Sequence, residues 1–110
     1  MYDLTYRPRR LRINPEMRDL VRETTLDVTD LIYPLFIVPG EGIKKEIDTL
    51  PGQYHLSVDE AVKMAQEVYD LGILGVEIFG IPTYKDEQGS SAWDMEQPVQ
   101  QAIKAIREAV

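Results

Sequence analysis

The chain has 110 residues, a formal net charge of −7, an apolar content of 44% and no cysteine. Those values suit one small globular domain and fall outside the ranges of disordered and membrane-spanning chains. The missing thiols exclude a disulfide framework and a thiolate metal site within these residues.

The charge is unevenly placed. Residues 1–26 hold six arginines against four acids, a net of +2, which leaves −9 on the rest. A basic arm on an acidic body allows three readings: nucleic-acid binding, docking on an acidic surface of another subunit, or plain solvation. Tyr2 and Tyr6 are its only rings, without the interleaving of bases and aromatics typical of RNA readers. Met1-Tyr2-Asp3-Leu4 shows no basic stretch leading into an apolar one, so no secretory leader is expected and a cytoplasmic location is. The longest apolar run, Leu31 to Val38, has eight residues, against the roughly 18–20 that span a bilayer.

Residues 1–13 lack periodicity, and Pro8 within the arginine cluster predicts an extended segment. Asn14-Pro15-Glu16 is a helix start: an Asn N-cap, Pro at the first position and an acid in the first turn. Met17, Leu20 and Val21 share a face of that short helix, expected to end near Thr24. Leu31 to Val38 reads as a strand buried on both faces, as in a parallel sheet. Pro34 opposes this, because it cannot donate to a ladder; a bulge or a gap in pairing at Pro34 reconciles the two.

Pro39-Gly40-Glu41-Gly42 ends the strand. A long connection runs to about Leu56, with Lys44–Ile47 and Pro51–Tyr54 as two short extended pieces around a turn. Ser57 and Glu60 form a capping box, and Val58, Ala61, Val62, Ala65, Val68 and Tyr69 make a helical stripe closed by Gly72. Gly75 to Ile81 is a second strand. Pro82 to Met95 is polar and turn-rich, and a second main helix begins at Gln97-Pro98 with Val99, Ala102, Ile103 and Ile106 as its stripe, extended by Ala109 or Val110. It has no stop signal, so the native protein is expected to run on. Alternating strand and helix predict a parallel sheet with helices outside. Two strands make a poor sheet, so the chain reads as the opening part of a larger fold.

Catalytic constellations are scarce. Pro39–Gly42 lacks the third glycine and the following helix of a phosphate loop. His55, the only histidine, reads better as a loop residue bonded to backbone than as a general base. Asp86, Glu87 and Asp94 lack the spacing of a calcium loop and read as a solvated loop. Glu77 stands out, because an unpaired carboxylate in a buried strand is expensive. It shares a side with Phe79, opposite Val76 and Ile78, and reads as a structural ion pair with a base from a strand not in this chain, rather than as a catalyst. Lys44, Lys45, Lys63, Lys85 and Lys104 lie on expected loops or polar faces, without the burial that lowers the pKa of a Schiff-base lysine.

Arg7-Pro8-Arg9-Arg10-Leu11-Arg12 and Leu20 to Thr24 resemble the N-terminal arm of the porphobilinogen synthases (5-aminolevulinate dehydratases). Asp30 to Val38, with its internal proline, is similar to that family, as are Leu50-Pro51-Gly52-Gln53-Tyr54, Gly72-Ile73, Phe79-Gly80-Ile81-Pro82, Lys85-Asp86 and Gly89 to Trp93. His55 stands where arginine is common, and Glu77 where the family more often has an apolar residue. The resemblance implies an α/β fold: residues 1–28 as an arm with a short helix, and 29–110 as the first two βα units of a TIM (β/α)8 barrel, incomplete in this chain. It implies condensation of two 5-aminolevulinate molecules to porphobilinogen with loss of water, in heme biosynthesis. It implies two Schiff-base lysines and a zinc or magnesium ion, both held by later segments. No catalytic, cofactor or metal residue is therefore carried onto this chain, which alone is expected to be inactive. It further implies that the arm, through Arg7, Arg9, Arg10 and Arg12, docks on another subunit of a homo-oligomer, commonly an octamer, rather than on nucleic acid or membrane. Loops 39–56 and 82–96 are expected at the strand C-terminal ends, framing the site. A truncated interaction fragment, or a small βαβα binding module, is the alternative.

Overall fold

A computed structural model describes residues 4–110. Its order is α1 (Pro15–Val21), β1 (Ile32–Ile37), β2 (Lys44–Ile47), β3 (Leu50–Leu56), α2 (Val58–Asp70), β4 (Gly75–Gly80) and α3 (Pro98–Ala109). Single 3-10 turns cover Arg10–Arg12, Val28–Asp30 and Ser90–Ala92.

The sheet runs β2-β3-β1-β4, with β1 parallel to both neighbours and β2 antiparallel to β3. Four strands rather than the expected two therefore form it. The connection after β1 turns back as a hairpin, and β3 joins β1 through Phe36↔His55 and Ile37↔Leu56. His55 accordingly sits in a strand, not in a loop.

Pro34 fits because of which way its backbone faces. Val38 N–H donates to Leu56 O on the β3 side at 2.8 Å, whereas Ile37 O accepts from Ile81 N–H on the β4 side at 2.8 Å. Alternation turns Pro34 toward β3, where pairing begins only at Phe36. The missing donor falls in that gap while the β4 register runs unbroken from Ile32↔Gly75 to Ile37↔Gly80.

One face of the sheet is covered. Leu35, Ile37, Leu56, Ala61 and Ala102 form the buried core, flanked by Tyr33, Met64, Val76, Ile78 and Ile106. The α2 stripe delivers Ala61, Ala65 and Val68 to it, but Tyr69 is exposed, as is Ile103 on α3 and Val110 beyond its end. Two βα units cannot cover the whole of either helix. α2 ends in a Schellman turn: Gly72 takes φ 92°, its N–H donates to Tyr69 O at 2.9 Å, and Ile73 N–H donates to Val68 O at 3.2 Å.

The N-terminal segment stands apart. α1 is capped by Asn14, whose side chain accepts from Met17 N–H at 2.8 Å, and it stops at Val21 rather than Thr24. A further cap went unforeseen: Asp27 accepts from Thr29 N–H while Asp30 accepts from Asp27 N–H. The radius of gyration is 21.2 Å, against about 13 Å for a compact chain of this length. Tyr6, Leu11, Ile13, Leu20 and Leu26 are all more than half exposed.

Candidate functional site

In parallel βα architecture, ligands meet the C-terminal ends of the strands. Here that edge is built from the loop after β1, the start of α2 and the loop after β4.

Ser57 is the hinge of the first part. Its side chain is fully buried. No side-chain cap forms on α2, so the expected Ser57–Glu60 box is absent; Glu60 instead pairs with Lys63 at 2.8 Å. Ser57 Oγ accepts from Ile43 N–H at 2.9 Å and donates to the Asp59 carboxylate. Asp59 also accepts from Gly42 N–H at 3.0 and 3.1 Å. The Ser57 hydroxyl, then the Gly42 amide, hold the Asp59 carboxyl below its ordinary value. The Pro39–Ile43 loop is thereby clamped to the helix start.

The second loop is organised by Gln97, buried although polar. Its Oε1 accepts from Thr83 N–H at 2.9 Å, and its Nε2 donates to Thr83 Oγ1 at 2.8 Å. Asp94 accepts from Tyr84 OH at 3.2 Å and from Glu96 N–H at 3.0 Å; the Glu96 amide is the main cause of its lowered pKa. Asp86 accepts from Ser90 N–H at 2.9 Å and Gln88 N–H at 3.1 Å, and donation from Ser90 lowers its pKa. Asp86 and Asp94 thus serve the loop's own turns, and Glu87 between them is exposed. Among the described residues no group of three or more His, Asp or Glu side chains could hold a metal ion.

Of the segments expected on this edge, 39–43 and 82–96 are there. Residues 44–56 are not: the register Lys44↔Leu56 to Ile47↔Leu50 runs the hairpin back alongside β1.

The face away from the helices carries the remaining chemistry. Phe36 and Phe79 stack there with ring centres 5.5 Å apart and planes 17° from parallel. His55 lies opposite Phe36, and Lys45 opposite His55. Glu77 lies opposite Pro34, one pleat below the Phe pair. It is exposed in this chain, not buried as the apolar strand predicts. No local signal foretells the Phe36–Phe79 contact, which depends on register.

All five lysines are exposed. Lys44 lies 4.9 Å over the Tyr54 ring, and Glu60 raises the pKa of Lys63, the opposite of what a Schiff-base amine requires. Arg7, Arg9, Arg10 and Arg12 are likewise exposed, in or just before the first 3-10 turn. An apolar cleft of about 270 Å³, lined by Val68, Ile73, Val76 and Ile106 among others, sits at the opposite end of β4 and carries no polar constellation.

The model of the family described as delta-aminolevulinic acid dehydratase matches residues 5–110. The delta-aminolevulinic acid dehydratase of Synechococcus elongatus is 55% identical over 106 residues, 96% of this chain and 32% of its own length. That of Synechocystis sp. is 53% identical, again over 96% of this chain and 32% of its own length. A solved delta-aminolevulinic acid dehydratase (porphobilinogen synthase) from Toxoplasma gondii, in complex with the reaction product porphobilinogen, superposes with a TM-score of 0.78 at 31% identity. It covers 96% of this chain and 30% of that one. The chain thus spans about a third of the length of these relatives, and its sheet and helices are the opening part of a (β/α)8 barrel.

Proposed function

Because this chain belongs to the delta-aminolevulinic acid dehydratase family, we propose that it supplies the opening third of an enzyme that condenses two 5-aminolevulinate molecules into porphobilinogen with loss of water. The match across residues 5–110 carries this reading. Loops 39–43 and 82–96 form part of the rim of the reaction chamber, and Phe36 and Phe79 part of its wall.

The groups that bond to substrate lie outside these residues. A Schiff-base lysine must present a neutral amine, and the five lysines here are solvated. Among the described residues no group of three or more histidine or acidic side chains could hold the zinc or magnesium of the whole enzyme. What these residues supply is shape: a clamped loop, a polar-braced loop and one wall of the barrel.

Residues 1–28 serve as an arm that docks on another copy of the protein. Four exposed arginines alternating with exposed Tyr6, Leu11 and Ile13 suit an acidic and apolar partner surface. This favours a homo-oligomer over nucleic acid. No described helix is long and apolar enough to cross a membrane, and a cytoplasmic enzyme is the reading we adopt. A free-standing binding module is disfavoured by Ile32, Phe79 and Ile81, which such a module would leave in water.

The test is a porphobilinogen assay on the native protein and on residues 1–110 alone. Product from the former and none from the latter is expected. Absence of product from the native protein overturns the reading.

A further inference from the structure

Glu77 is the one charged side chain on β4, and it points to the uncovered face. That face is otherwise apolar around it: Ile32, Pro34, Phe36, Phe79 and Ile81 share it by register and alternation. Glu77 takes part in neither of the two ion pairs among the described residues. The titratable and cationic groups on the same face are His55 and Lys45, on β3 and β2. Strand spacing places the His55 backbone roughly 10 Å from β4, and that of Lys45 farther still. The far edge of β4, by contrast, has no strand on it among the described residues.

Resting on the reading that the whole protein closes its barrel, we propose that Glu77 is one half of a charge pair inside that barrel, its partner a lysine or arginine on a strand outside these 110 residues. Closure takes the open face out of water. An isolated carboxylate there would be costly, whereas a carboxylate facing a cation, with hydrogen bonds between them, is tolerated. The cation must come from beyond the free edge of β4 or from across the barrel, because the described residues offer none on a neighbouring strand. The pair sits one pleat beneath Phe36 and Phe79, below the chamber rather than in it.

The pair has a signature that a merely buried acid lacks. Removing one partner leaves the other charge buried and alone, so a better-packing apolar residue still destabilises. The experiment is thermal unfolding of the full-length protein with E77Q and E77L, each also assayed for porphobilinogen. Both variants are expected to melt several degrees below the native protein, E77L at least as far as E77Q. An E77L variant melting at or above the native temperature overturns the proposal, since Glu77 then has no cation to neutralise. E77Q melting with the native protein overturns it too, because the charge then contributes nothing. Porphobilinogen formation by the native protein tells these failures apart from failure of the enzyme reading: if product forms, only the charge pair falls.

Discussion

Ser57 and Asp59 show how a local rule can be outbid by a tertiary one. Ser, two residues and Glu before an apolar stripe is a capping box by pattern, yet Ser57 spends its hydroxyl on Ile43 and Asp59. Ser57→Ala leaves the Ile43 N–H without its acceptor and should cost about 1–3 kcal/mol, read as a fall in the melting temperature of the whole protein. Asp59 adds a pH dependence. Its folded carboxyl titrates below the ordinary 3.8, so its contribution is complete above that value and is lost as pH falls through the folded one. Hydrogen exchange of the Gly42 amide should therefore speed up in acid relative to its neighbours, and Asp59→Asn should remove that dependence. At Gly80 the constraint is space: a Cβ there would collide with the Val99 side chain. Gly80→Ala should cost about 1–3 kcal/mol by forcing α3 away from β4, measurable in the same melts.

Among the elements, those set by local signals were readable in the sequence and those set by pairing were not. α2 and α3 announce themselves by stripe, Pro98 and Gly72, and their ends fall where those residues sit. The strand around Pro34 was readable too, including the gap its missing N–H requires. The joining of β3 to β1 was not. Lys44–Ile47 and Pro51–Tyr54 look like two extended pieces, but nothing local says that the second will align with Phe36 and Ile37. The same limit hid the Phe36–Phe79 stack and the exposure of Glu77, since both follow from which face the register presents. The core itself is legible, because Leu35 and Ile37 alternate on the helix side. Leu35→Ala should cost about 2–5 kcal/mol, the usual range for a fully buried leucine.

At the level of the whole molecule, the chain reads as a wall and an arm, each with a surface waiting for a neighbour. The arm's arginines were legible as a charge imbalance; their use as a docking element is our proposal. Deleting residues 1–28 of the native protein should lower its mass in solution to that of a smaller assembly while leaving the sheet's core intact, which light scattering would show. On the function proposed above, this chain shapes the chamber of a dehydratase and the bonds to substrate are made elsewhere. The most direct test is to trap 5-aminolevulinate on the native protein with borohydride, which reduces a Schiff base to a stable adduct, and to map the modified lysine by mass spectrometry. An adduct on a lysine beyond residue 110 is the expected result; an adduct on Lys44, Lys45, Lys63, Lys85 or Lys104 would contradict the claim.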